Sequence, residues 1–254
     1  MHILILGGTT EARLLGERLA SRDLQLTYSL AGRTRSPLPM PGPVRIGGFG
    51  GTEGLAEYLR DEHIDILVDA THPYAAAISR NAAEAAAKTG TPFIALHRPP
   101  WMPVEGDRWT EVANAREAVR ALGAATRRVF LALGRQEIAP FGRAPQHDYL
   151  VRSVEPVDPP LTVPHATYIE ARGPFSEADD CALLETHRIE VVVSKNSGGV
   201  AAYGKIAAAR ALGIEVILLR RPMLPDAPSV ATIAEAVAFI DHALVSGIES
   251  ARPA

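Results

Sequence analysis

Residues able to do chemistry stand in short loops that follow apolar runs. Ile3 to Leu6 leads straight into Gly7, Gly8, Thr9, Thr10 and Glu11, and then into a stretch of helical period. That order aims backbone N–H groups and the start of a helix at a phosphate. Gly7 and Gly8 can adopt a positive φ or admit a pyrophosphate where a Cβ would collide, and Thr9 or Thr10 can cap the helix while offering a hydroxyl. Ala12 stands at the third glycine position of GxGxxG, so the full fingerprint is absent. A second run, Leu24 to Leu30, carries Ser29 near its end and continues through Ala31, Gly32, Arg33, Thr34 and Arg35. An NAD-preferring site would place a carboxylate there to accept the ribose 2′-hydroxyl, whereas Arg33 and Arg35 offer guanidinium forks to a 2′-phosphate. The expected cofactor is therefore NADPH, held by Gly7, Gly8, Thr9, Thr10, Glu11, Ser29, Gly32, Arg33, Thr34 and Arg35. Gly48, from a glycine cluster at Gly47–Gly51 that reads as a lip over the cofactor or a surface turn, and Thr71 complete the set.

Other loops gather polar and cationic groups. Asp69, Ala70, Thr71, His72, Pro73 and Tyr74 follow one apolar run, and His97 and Arg98 follow the next. Farther on stand Gly134, Arg135 and Gln136, then Arg172, then Lys195, Asn196, Ser197 and Gly198, and finally Arg220 and Arg221. These loops suit an anion-rich, polar substrate, with Arg98, Arg135, Gln136, Arg172, Lys195, Asn196, Ser197 and Gly198 as its expected contacts. For proton transfer His72 ranks first, because an imidazole titrates at roughly pH 6.5 in water. Lys195 and Tyr74 follow, and protonation by water with orientation supplying the rate is the alternative.

The elements that position these loops are short β-branched runs alternating with alanine-rich helical stretches, the pattern of parallel sheets covered by helices. Strands are expected at Ile3–Leu6, Leu24–Leu30, Val44–Ile46, Ile64–Val68 and Phe93–Leu96, then at Val129–Leu133, Tyr149–Val154, Thr167–Glu170, Val191–Ser194 and Val216–Leu219. Helices are expected at Glu11–Arg22, Leu55–Glu62, Ala75–Thr89, Ala178–His187, Tyr203–Leu212 and Ile233–Ser246. His63–Val68 is echoed by His187–Val193, and Gly90–Pro99 by Gly213–Pro222. The fold class read from this is α/β: two Rossmann-like lobes with mainly parallel sheets and a cleft between them. The lobes divide as 1–100, binding NADP, and 101–254, binding substrate. The connection is Pro99 to Arg116, and the last helix has the option of packing on the first lobe.

Composition narrows the partners. With 254 residues, 47% hydrophobic and 22% charged, the chain can bury a core without disulfides, and its single cysteine, Cys181, builds neither a disulfide framework nor a thiolate metal site. A formal charge of −3, from 26 basic and 29 acidic residues, gives no positive field for nucleic acid or an anionic membrane. The apolar start is too short for a signal-peptide core or a membrane span, so a cytoplasmic protein is expected. Oligomeric state is not legible, and a monomer is compatible with the chain.

Seven motifs in one order carry a family resemblance: LGGTTEAR (Leu6 to Arg13), SLAGRT (Ser29 to Thr34), GGFGG (Gly47 to Gly51), DATHPYA (Asp69 to Ala75), GRQE (Gly134 to Glu137), RGPF (Arg172 to Phe175) and KNSGG (Lys195 to Gly199). The chain resembles the precorrin-6A reductases of cobalamin biosynthesis nearly end to end. The resemblance implies NADPH-dependent reduction of the C18–C19 double bond of a tetrapyrrole macrocycle, giving precorrin-6B, with Trp101 and Phe175 expected against the apolar ring. Rival readings are a cobalt-precorrin-6A reductase of the anaerobic pathway, a two-lobed nucleotide-sugar glycosyltransferase and an NADP-sensing module without catalysis.

Overall fold

A computed structural model describes residues 1–32 and 39–250. Chain order is β1 (His2–Leu6), α1 (Thr10–Leu19), β2 (Gln25–Leu30), β3 (Val44–Ile46), α2 (Gly51–Asp61), β4 (Ile66–Asp69), α3 (Ala76–Thr89) and β5 (Phe93–Leu96). Next come β6 (Trp109–Val112), α4 (Ala115–Leu122), β7 (Arg128–Ala132), β8 (Asp148–Ser153), β9 (Ala166–Glu170), α5 (Glu177–Thr186), β10 (Val191–Lys195), α6 (Gly204–Ala211) and β11 (Glu215–Leu219). Then β12 (Ser229–Val230) and α7 (Ile233–Ser250) follow. Two compact units result, Met1–Arg98 with Pro222–Ala254, and Pro99–Arg221.

Each unit holds a six-stranded sheet, ordered β12-β5-β4-β1-β2-β3 in the first and β6-β11-β10-β7-β8-β9 in the second. Every strand pairing is parallel. Strands β1–β5 of the first sheet and β7–β11 of the second follow the doubly wound plan, with the order reversing beside β1 and beside β7. The sixth places are exchanged: β6, which follows β5 in sequence, lies beside β11, and β12, which follows β11, lies beside β5.

This exchange corrects two expectations. Pro99 to Arg116 is not a bare connection, because it contains β6 and the start of α4. The second lobe does not run to 254, because everything from Pro222 returns to the first unit through β12 and α7. The physical reason lies in the core. In β1, Ile3 and Ile5 face one side of the sheet with Leu15 and Leu19 of α1, where Ala236 and Ile240 of α7 are fully buried. Leu4 and Leu6 face the other side with Leu55 and Leu59 of α2 and Ala82 and Ala85 of α3. Alternate residues of one strand thus need cover from both layers, and α7 supplies part of the first.

Among the described residues no helix is long and apolar enough to cross a membrane.

If α7 is an integral part of the first core, Ile240→Ala should lower unfolding free energy by about 2–5 kcal/mol in urea titrations. A loss under about 0.5 kcal/mol, as for a surface site, would make α7 a dispensable tail.

Candidate active site

The loop after β1 and the loop after β4 meet at the point where the strand order of the first sheet reverses. Gly7 has φ +111°, and a Cβ there would lie 2.6 Å from the Ala70 carbonyl oxygen, so only glycine fits. Its N–H donates to Ser29 O at 2.9 Å. Thr9 is the N-cap of α1: its Oγ1 accepts from Ala12 N at 3.1 Å and donates to Ala70 O at 2.7 Å. The Thr9 hydroxyl expected to face a phosphate is therefore committed to the framework. Thr71 is committed likewise, its N–H to Asp69 Oδ1 at 3.0 Å and its hydroxyl to Ser79 at 3.3 Å. Gly8 and Thr10 stay exposed at the start of α1, where first-turn N–H groups have no intrahelical acceptor.

Glu11 does not face a ligand alone. Arg98, expected on substrate, donates to Glu11 Oε2 at 2.5 Å, which compensates the carboxylate at the helix start. Ser29 is buried, Gly32 has φ +68°, and Gly48 is exposed with its carbonyl accepting from Arg45 Nη2 at 2.8 Å. Arg33, Thr34 and Arg35 lie outside the described residues.

His72 and Tyr74 pack together with ring centroids 5.6 Å apart. Tyr74 N donates to His72 Nδ1 at 3.3 Å, so the neutral imidazole carries its hydrogen on Nε2. The ends of β4 and β5 bring together a pair to which the motif reading gave no role. Asp69, fully buried at the end of β4, turns Oδ2 toward His97 Nε2 at 3.4 Å. Both line a cavity of about 150 Å³ with Phe93, Ala95, Leu224 and Ser229. Burial pushes the Asp69 pKa up, but His97, Ser79 and Thr71 together outweigh it and hold the carboxyl below its usual range. The sequence signal was available, since His97 adjoins Arg98 at the same strand end.

In the second unit the expected cations are already paired. Lys195 Nζ lies 2.5 Å from Glu137 Oε1, and Arg135 Nη2 lies 3.4 Å from Glu155 Oε2. Glu137 and Glu155 are further residues that the motif reading passed over, although Glu137 closes the GRQE motif. Gln136 and Arg172 are exposed, and Ser197 N donates to Lys195 O at 2.9 Å.

Asn196, expected as a substrate contact, is held by the framework in this structure. It is 5% exposed, accepts from Trp101 N at 2.7 Å and donates to Trp101 O at 2.9 Å. Gly198, also expected on the substrate, is closely packed: a Cβ there would fall 2.1 Å from Pro99 O and 2.3 Å from Arg221 Nη2. Trp101, expected against the substrate ring, lies in the core with Nε1 donating to Gly199 O at 2.7 Å. Phe175 keeps one face under the Arg152 guanidinium at 3.7 Å. Arg152 in turn pairs with buried Asp180 at 2.5 Å, and a Cβ on Gly204 would meet Asp180 Oδ2 at 2.9 Å. Next along α6, Lys205 is buried, donating to Ala202 O at 2.6 Å with its ammonium 5.1 Å from the Trp101 ring centroid. This cluster supports the RGPF and KNSGG loops from below, and Phe175 N donating to Ala201 O ties those loops together.

The family described as precorrin-6x reductase CbiJ/CobK matches residues 2–241. A precorrin-6A reductase of Sinorhizobium sp. is 59% identical over 243 residues, covering 95% of this chain and 93% of that protein. A precorrin-6A reductase of Rhodobacter capsulatus is 47% identical over 242 residues, with coverages of 95% and 96%. A solved structure of CobK precorrin-6A reductase superimposes with a TM-score of 0.92 at 46% identity, covering 96% of this chain and 97% of that one.

The buried amine gives a test independent of activity. Burial, with a smaller push from the Arg152 cation and an opposing pull from Asp180, lowers the Lys205 pKa from 10.5 to about 7. The unfolded chain then binds more protons than the folded one across that window, so stability rises with pH through it. Between about pH 7 and pH 9 the urea midpoint of the wild type should climb relative to that of Lys205→Met. Parallel pH dependences would mean that the folded state keeps the amine charged.

Proposed function

The chain belongs to the precorrin-6x reductase family, and on that premise we propose that it reduces precorrin-6A to precorrin-6B with NADPH as donor. The observation that carries the cofactor reading is the open helix start after β1, in a sheet whose second strand ends without a carboxylate. The residues fit a dinucleotide diphosphate. Gly8 and the first turn of α1 offer N–H groups and the positive end of the helix dipole. Arg98 neutralises the one side-chain carboxylate of that turn, so an arriving diphosphate meets no net negative charge from Glu11. Arg33 and Arg35 take the 2′-phosphate in this reading.

Bound NADPH supplies a hydride to one ring carbon, and a proton must reach its neighbour. His72 is the favoured proton donor: as imidazolium it would give one proton to the substrate and return to the neutral ring, with Tyr74 and Lys195 as the other candidates for proton delivery. Lys195, Arg135 and Arg172 hold substrate carboxylates, with Gln136 and Ser197 adding neutral polar contacts. Lys195 and Arg135 then exchange Glu137 and Glu155 for substrate anions, so the cations stay oriented and compensated before binding. Family membership sets aside the glycosyltransferase and the non-catalytic sensor. The two similar relatives bear the cobalt-free name, which supports a metal-free substrate over a cobalt complex.

Anaerobic incubation with precorrin-6A and NADPH should convert the tetrapyrrole to a product two mass units heavier as NADPH absorbance falls. Turnover only with the cobalt complex, or none with either, would overturn the substrate assignment. Lys195→Ala and Arg135→Ala should each weaken tetrapyrrole binding by about tenfold or more while leaving NADPH affinity unchanged. The reverse pattern would move both residues to the cofactor. His72→Ala should lower kcat by about 100-fold if the imidazole delivers the proton, and an unchanged kcat would assign that proton to water.

A further inference from the structure

Arg45 lies in the middle of β3, and nothing in the motif reading gives it a role. Its guanidinium reaches back to the carboxyl ends of β2 and β3. Nη1 donates to Gly47 O at 2.7 Å and lies 3.5 Å from Ser29 Oγ, while Nη2 donates to Gly48 O at 2.8 Å. One face of the cation rests on Phe49, 3.9 Å from the ring centroid, with Tyr58 beyond at 5.3 Å. Phe49 and Tyr58 brace each other edge to face at 5.2 Å.

All these partners are neutral. Among the described residues no carboxylate pairs with Arg45, whereas in the same unit Arg13, Arg22, Lys88 and Arg98 each have an acidic partner. A half-buried cation fixed by two carbonyls and a ring, without a counter-charge, loses hydration that an arriving anion would restore. A guanidinium has five N–H donors. The bonds named above leave Nε–H and one Nη2 hydrogen, a pair able to grip two phosphate oxygens side by side.

Position identifies the anion. Arg45 is in register with Ser29, one residue before the end of β2. With the order reversing beside β1, the diphosphate belongs at the start of α1 and the adenosine ribose at the end of β2. A phosphate on the ribose 2′-hydroxyl would arrive on the side where β3 lies. Among the described residues a Cβ at Gly47, Gly48 or Gly50 would meet nothing within 4 Å, so the glycine loop beside Arg45 is not crowded by them.

We infer that Arg45 is a specificity-determining residue: it joins Arg33 and Arg35 in binding the 2′-phosphate and, through Gly47 and Gly48, couples that phosphate to the shape of the glycine loop. This rests on the reading above that the first unit holds the dinucleotide. Calorimetric titration of the full chain with 2′,5′-ADP and with 5′-ADP, neither of which carries nicotinamide, separates the two ideas. The wild type should prefer 2′,5′-ADP by at least about tenfold. Arg45→Ala should lose most of that preference while its 5′-ADP affinity stays within about threefold of the wild type. Arg45→Lys keeps a cation but not the fork, and should retain only part of the preference, which preserves the test if the alanine variant does not fold. An alanine variant with the wild-type preference, or a loss equal for both probes, would overturn the role of Arg45 and leave the nucleotide reading standing. A wild type that binds neither probe would overturn both.

Discussion

The contact between Gly7 and Ala70 is the constraint on which the carboxyl end of the first sheet depends. Two parallel strands, β1 and β4, must deliver their chains to opposite layers, and the turns that begin those departures come within touching distance. Gly7 leaves no room for a Cβ against the Ala70 carbonyl, and Thr9 grips that same oxygen while capping α1. The helix start and the 69–74 loop are therefore fixed to one another before any ligand arrives. Glycine in this turn serves backbone packing first, and its neighbour Gly8 is the exposed one.

The second unit solves the same problem with different residues. Asn196 bridges both main-chain groups of Trp101, Arg221 donates to Asn196 O at 2.8 Å, and Gly198 lets Pro99 O and Arg221 approach closely. The ends of the unit are thereby tied to its own β10 loop. Charge follows the same logic, because Lys195 and Arg135 sit beside carboxylates rather than in bare solvent. Such cations are held in one orientation by their partners, which already spends part of their side-chain entropy.

Legibility followed burial and distance along the chain. The strands β1, β4, β5, β10 and β11 are apolar on both faces and read as continuous runs. Strand β6, Trp-Thr-Glu-Val at a sheet edge, and the two-residue β12 lack that signal. The missed α4 did carry one: Asn114 caps Glu117 N while the Glu117 carboxylate accepts from Ala113 N, a pattern visible as Asn-x-x-Glu. The positive φ expected at Gly7 is present, but the backbone partners that crowd Gly7 and Gly198 were not legible, since Ala70 and Pro99 are remote in sequence from them. Pairings such as Arg98 with Glu11, 87 residues apart, have no local trace at all. Thr9, Thr71 and Asn196, read from their polarity as ligand contacts, also hold the loops together, a role with no local trace in the sequence.

The central claim is that the dinucleotide sits on the turn after β1 in the first unit. Hydrogen–deuterium exchange of the full chain with and without NADP⁺ tests it most directly, because the backbone N–H groups in question are the observable. The account predicts slowed exchange in peptides spanning Gly8–Arg13 and Gly47–Gly51, with the peptide containing Lys195–Gly199 unchanged. Slowing confined to residues 99–221, with the β1 turn unaffected, would contradict it.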